Sequence, residues 1–118
     1  MSIEIVQKLF TLVEQNDLDN YLTYFAEGAE YKAGNYPPVF GPKAIGEFAK
    51  QVAPYFDKIE HKVKGSWQNG NTVIAEMDLV YHRKDGKVAT VPCCDVVVFE
   101  NGKVKSYHAY LDAAPAFA

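Results

Sequence analysis

The run from Ile59 to Leu111 constrains this chain most. Apolar residues recur there at every second position, and the run breaks at three corners: Gln68-Asn69-Gly70-Asn71, Lys84-Asp85-Gly86-Lys87 and Glu100-Asn101-Gly102-Lys103. Period two is the spacing of a strand with one buried face. Asn-Gly and Asp-Gly supply the left-handed backbone that tight hairpins need. The run therefore reads as a four-stranded antiparallel meander.

Each corner fits either a two-residue turn or a three-residue loop ending in a glycine bulge, and the choice decides which side chains share a face. With three-residue loops throughout, Trp67 pairs with Asn71, Arg83 with Lys87 and Phe99 with Lys103. One face then collects Ile59, His61, Val63 and Trp67, followed by Met77, Leu79 and Tyr81, then Cys93, Asp95 and Phe99, and finally Tyr107, Ala109 and Leu111. A two-residue turn at the middle corner would bring Glu76 and Asp78 onto the face that holds Cys93, so the bulged register is preferred. It sets Asp95 beside Ala75 and Tyr107, with His61 one row away and two strands over.

The N-terminal half is helical in period. Ile5, Val6, Leu9, Leu12 and Val13 fall on one helical stripe. Asp17 caps a second, short helix that carries Leu18, Tyr21, Leu22 and Phe25 and is closed by Glu27-Gly28. Ala29 to Ala33 reads as a short strand with Tyr31 and Ala33 on one side. In Gly34-Asn35-Tyr36-Pro37-Pro38 the prolines remove donors and fix φ, which makes the segment a candidate rim or lid. Gly41-Pro42 opens a third helix carrying Ile45, Phe48 and Val52, and Pro54 ends it. A twisted sheet curling around three helices has a concave apolar face.

With 118 residues and no linker or repeat, residues 1–118 read as one domain. A net charge of −3 without a basic block excludes a nucleic-acid partner. No apolar run approaches the ~18 residues that a membrane span needs. Glu4 stands where an export signal carries positive charge, and Cys93 and Cys94 are neighbours pointing to opposite faces of a strand. Both features predict a reduced, cytoplasmic protein.

The order of these elements resembles the nuclear-transport-factor-2-like superfamily, which contains ketosteroid isomerase and the SnoaL-type polyketide cyclases. The likeness rests on Asp17-Leu18-Asp19 and Phe25 in the first helices, Gly41 with Ala44-Ile45 and Phe48 in the third, and a meander ending Phe99-Glu100-Asn101-Gly102-Lys103-Val104 and Tyr110-Leu111-Asp112. It covers essentially the whole chain. It implies an α+β, cystatin-like cone: an α+β barrel with three helices of the N-terminal half packed on a curved antiparallel sheet. It also implies a homodimer paired through the convex sheet face, where Val80, Thr90, Pro92, Cys94, Val96, Val98 and Tyr110 are too apolar for water alone.

Asp95 matches the strand position where ketosteroid isomerase keeps a protonated aspartic acid. The isomerase's proton-moving aspartate corresponds to Ala33 and its helical tyrosine to Leu9, while the histidine and aspartate of cyclase-like members correspond to Tyr107 and Ala109. The chain's arginine, Arg83, lies at a hairpin end without the flanking aspartates of limonene-epoxide-hydrolase-like members.

The residues themselves leave Asp95 two readings: a hydrogen-bonded strut of the sheet, or an acid whose apolar neighbours raise its pKa. The candidate catalytic set is Asp95, His61 and Tyr107, and the candidate ligand-binding set is Phe25, Tyr31, Tyr55, Val63, Trp67, Met77, Tyr81, Cys93 and Ala109. His108, Cys94 and Glu76 on the outer face lack a ligand-spacing motif, so no metal and no cofactor is assigned. Three functions follow. The favoured one is a small apolar or aromatic carbonyl-bearing ligand, with cofactor-independent isomerase, dehydratase or cyclase chemistry. The others are a non-catalytic binding protein with the same pocket, and a protein-interaction module.

Overall fold

The computed structural model describes residues 2–118. The elements are α1 (Ser2–Glu14), α2 (Leu18–Leu22), β1 (Phe25–Ala33), β2 (Val39–Phe40), α3 (Gly41–Val52), β3 (Phe56–Asn69), β4 (Thr72–Arg83), β5 (Val88–Glu100), β6 (Lys103–Leu111) and α4 (Ala114–Phe117), with a 3-10 turn at Ala53–Tyr55. The six strands form one sheet in the order β2-β1-β6-β5-β4-β3. All neighbours are antiparallel except β1 and β6. The cone is thus a curved, unclosed sheet with β2 and β3 as its edges.

The three expected helices form where the sequence places them, with one correction, and α4 is a fourth that the sequence pattern does not predict. Asp17 caps α2, its carboxylate accepting from the Asn20 amide at 3.3 Å. The expected extension of α2 to Gly28 does not occur. The helix stops at Leu22, and Phe25 already pairs with Val104. Tertiary pairing with β6 outweighs a weak local helical preference, and β1 absorbs the conflict in a bulge between Phe25 and Glu30 that holds Gly28 at φ +79°. The 34–38 segment is irregular, as its prolines require.

The hairpins correct the predicted register. Only the middle corner is a three-residue loop: Arg83 N–H donates to Lys87 O at 2.9 Å, and Gly86 takes φ +90°. The other two close in two residues, with Asn69 opposite Thr72 and Glu100 opposite Lys103. At the last one Asn101 and Gly102 both have positive φ, +52° and +77°, the backbone that matches strand twist in such a turn. A shorter turn alone would flip every side chain beyond it. Each strand instead recovers parity by a bulge, between Val63 and Gly65 in β3 and at Lys105 in β6. Bulges also bend strands and increase their twist, which helps curl the sheet. Asp95 faces the concave side because the β4–β5 corner closes as expected.

Under that side lies the core: Val6, Leu9 and Leu12 of α1 and Ile45 of α3 pack against Val73, Ala75, Met77, Val97 and Val104 of the sheet. Each of these buried side chains except that of Ala75 contributes about 1.5–3 kcal/mol.

Candidate functional site

A cavity of about 400 Å³ lies between the concave face and α1, α2 and α3. Most of its wall is apolar, from Phe10, Ile45, Phe48, Phe56, Ile59 and Leu79 among others. Its polar groups are Asp95, the hydroxyls of Tyr21, Tyr31, Tyr36, Tyr81 and Tyr107, and the imidazole of His61, with Glu14, Asn16, Asp17, Lys50, Asp57 and Lys58 also in the lining.

Asp95 stands on β5 between two alanines, Ala75 on β4 and Ala109 on β6, which leave its carboxyl room to reach the cavity. It is 4% exposed and is the buried charged residue of the described chain. Tyr107, opposite Val97 rather than opposite Asp95, reaches it diagonally, and its hydroxyl donates a short hydrogen bond to Asp95 Oδ2. Cys93, two residues back on the same face, donates its thiol to Oδ1 at 3.1 Å.

Burial pushes the Asp95 carboxyl above the usual carboxylate range; the hydrogen bonds from Tyr107 and Cys93 and the charge of His61 pull the other way without cancelling it. Burial likewise pushes the hydroxyls of Tyr21, Tyr31, Tyr81 and Tyr107 and the Cys93 thiol up. The tyrosines are therefore donors at neutral pH, and Cys93 is no thiolate nucleophile.

His61 occupies the opposite wall. Glu14 Oε2, at the end of α1, accepts from the His61 main-chain N–H at 2.7 Å and lies 2.9 Å from Nδ1. The ring lies flat on Phe10, centroids 4.6 Å apart and planes 13° from parallel. An ionised Glu14 holds the proton on Nδ1 and leaves Nε2 to accept one. The predicted one-row spacing from Asp95 is corrected: the β3 bulge sets His61 opposite Leu79, two same-face rows from Ala75. At ~3.3 Å per residue and ~4.8 Å per strand, the two Cα atoms are about 16 Å apart along the sheet. The two groups flank the space; they do not touch.

Of the expected residues, Asp95, His61, Tyr107, Tyr31, Tyr81 and Ala109 line the cavity. Phe25, Met77 and Cys93 are buried beneath it in the core. Three lie outside, and each is a correction. Trp67, opposite Ile74, is 56% exposed on the convex face, because the short first turn flips the part of β3 beyond its bulge. Its ring lies so close to Gly65 that a Cβ there would stand 2.6 Å from it. Val63 keeps concave parity opposite Met77 but is 40% exposed where the strand bends at the bulge. Tyr55 is 59% exposed in the 3-10 turn after α3, edge-on to Phe117.

Glu14, Tyr21, Phe48 and Phe117 were not anticipated. The first three sit on helical stripes that read as solvent face or core, and only their approach to the sheet gives them a role. Among the described residues no group of three or more His, Cys, Asp or Glu side chains is placed to hold a metal, and no helix is long and apolar enough to cross a membrane.

Comparison with known proteins agrees with this geometry. No curated protein matches the chain in sequence. Among solved structures, a nuclear-transport-factor-2-like protein of unknown function from Burkholderia pseudomallei superposes with TM-score 0.87 at 16% identity, covering 95% of this chain and 91% of the other. TerC co-crystallised with polyporic acid gives 0.86 at 15%, covering 98% of both chains. A protein of ketosteroid-isomerase-like fold from Catenulispora acidiphila, in complex with trimethylamine, gives 0.86 at 16%, covering 96% and 88%. These likenesses concern the fold. The family model of the SnoaL-like domain matches residues 6–107, nearly the whole chain, and with that match this chain belongs to the SnoaL-like domain family of the nuclear-transport-factor-2-like superfamily.

Proposed function

We propose that the cavity binds a small, flat, apolar or aromatic molecule bearing a carbonyl group, and that the protein moves a proton on the carbon beside that carbonyl. The observation that carries this reading is the placement of two unlike polar groups across one apolar hollow: the buried Asp95–Tyr107 pair and the Glu14-oriented His61. His61 Nε2 takes the proton from the carbon. The C–H electron pair moves into the carbonyl group, and the resulting enolate oxygen accepts a hydrogen bond from protonated Asp95, whose carboxyl the Tyr107 hydroxyl holds in place. In a ligand with a β,γ double bond, return of the proton to the γ-carbon gives isomerisation; in one with a second carbonyl, the enolate carbon attacks that carbonyl carbon, its C=O π bond opens to an alkoxide, and His61 returns the proton to it, which closes a ring. That two neighbours of this fold were crystallised with polyporic acid and with trimethylamine supports small-molecule binding.

One observation favours a second reading, a binding protein without chemistry. Both Asp95 oxygens already have protein donors, in Tyr107 and Cys93, which suffices for a structural strut. Exchange of the α-protons of tetralone with deuterated water, followed by NMR, separates the two. The catalytic reading expects protein-dependent exchange that Asp95→Asn slows about 10²-fold and His61→Gln removes. Binding without exchange leaves the binding protein; absence of binding ends both.

The convex face goes to a second copy of the chain: Trp67, Ile74 and Tyr110 are exposed there beside the half-buried Val96 and Val98. Cys93 and Cys94 are free thiols, in keeping with a reducing, cytoplasmic setting.

A further inference from the structure

The cavity has a neighbour. A second hollow of about 740 Å³, between α3, the 34–38 segment and α4, shares Tyr36, Phe48, Val52 and Phe117 with the first and continues to Gln51 and Arg83. Two aromatic groups contribute to the shared wall. Tyr36 stands edge-on to Phe48, centroids 5.7 Å apart, and Phe117 stands edge-on to Tyr55 and Phe56 at 5.5 and 5.4 Å. Phe48 belongs to α3 and Phe117 to α4, and both line the two hollows. Tyr36 and Phe117 are themselves exposed, so their rings can turn on the fast timescale of surface side chains. The wall is a seam.

The two hollows differ at their ends. The Asp95 end of the first offers a protonated carboxyl set in apolar wall, which suits a neutral oxygen better than a full carboxylate. In the second, no Asp or Glu contributes to the lining, and Arg83 is the charged residue. Arg83 donates one N–H to the main-chain oxygen of Ala118 and another to Asp85 Oδ2 at 2.7 Å. A guanidinium has five N–H donors, so further donors remain for a carboxylate.

We propose that the two hollows form one elongated site: an apolar head with its neutral oxygen at Asp95 and Tyr107, a stem passing the Phe48–Phe117 seam, and a carboxylate on Arg83. The ligand class is then an aryl-headed carboxylic acid with an alkyl stem, held in one orientation because its anionic end finds a guanidinium at Arg83 and apolar wall around Asp95. This rests on the first cavity being a ligand site.

Calorimetric titration with naphthol, with naphthyloxyhexanoic acid and with the neutral amide of that acid tests it. The acid binds the wild-type protein about tenfold tighter than the amide, as a charge-assisted contact to a partly exposed arginine allows. Arg83→Gln brings the acid down to the amide. Asp85→Asn, which removes the competing carboxylate and leaves Arg83 in place, widens the gap. Equal binding of acid and amide, or a gap that survives Arg83→Gln or shrinks in Asp85→Asn, overturns the elongated site while naphthol binding keeps the first cavity. Binding of the acid without naphthol overturns both the joined site and the first-cavity reading, leaving an isolated anion contact; binding of neither molecule also overturns both.

Discussion

Replacing Tyr107 by Phe removes one hydroxyl from the floor of the cavity and changes stability by an amount that depends on pH. In the wild-type protein that hydroxyl donates to buried Asp95, with Cys93 as the other donor. A hydrogen bond to a charged group is worth about 1.5–3 kcal/mol and one between neutral groups about 1 kcal/mol. Asp95 has its folded pKa raised by burial, so the folded state holds this proton more tightly than the unfolded chain does. Its contribution to stability is therefore greatest at acid pH and declines as pH rises from the unfolded value, about 3.9, through the folded one. The Tyr107 bond is one of the effects lowering the folded pKa. Without it that pKa moves further up, and the decline extends to higher pH.

The loss caused by Tyr107→Phe is consequently smallest where Asp95 is protonated in both proteins, about 1 kcal/mol, and largest where it is ionised in both, about 2 kcal/mol or more. For a chain of this size the larger figure corresponds to about 6–10 °C in Tm. Urea unfolding followed by far-UV circular dichroism, from about pH 4 to about pH 9, measures both limits. A loss independent of pH, or one below about 0.5 kcal/mol at the alkaline limit, would refute the coupling between the two residues.

Two further outcomes are expected. Asn101 holds φ +52° in the last hairpin, so Asn101→Ala costs about 1 kcal/mol in urea unfolding and Asn101→Gly does not; equal losses would mean that the turn relaxes. Sedimentation equilibrium of the wild-type chain should give twice its 13.2 kDa mass, and Ile74→Lys with Tyr110→Glu should return it to monomer. A monomeric wild type at tens of micromolar would rule out pairing through the convex face.

Several features were legible from residue order because local chemistry and tertiary packing agree on them. The middle hairpin has its predicted three-residue loop at Asp85-Gly86, Asp17 caps α2, and Asp95 and Tyr31 face the concave side. Asp95 keeps its predicted face because the β4–β5 corner closes as expected, and the bulges near Lys64 and at Lys105 keep His61, Tyr107 and Ala109 on that face although the other two corners are shorter. Turn chemistry specifies a backbone shape only over a few residues, whereas the position of a bulge depends on how whole strands stack under the helices. That is why Trp67, beyond the β3 bulge, went to the wrong face.

The site itself needed the tertiary structure. Glu14 and His61 are 47 residues apart, and nothing in either segment names the other. Tyr107 stands beside Asp95 in the expected register as well, but the shifted β5–β6 register makes the contact diagonal, and Phe48 and Phe117 line one rim only because α3 and α4 are carried to it. Alternation of polar and apolar residues settles which way a side chain points, since that preference is local and strong. Which distant side chain it then meets depends on the sum of many small packing preferences along both chain segments, and no short stretch of sequence contains that sum.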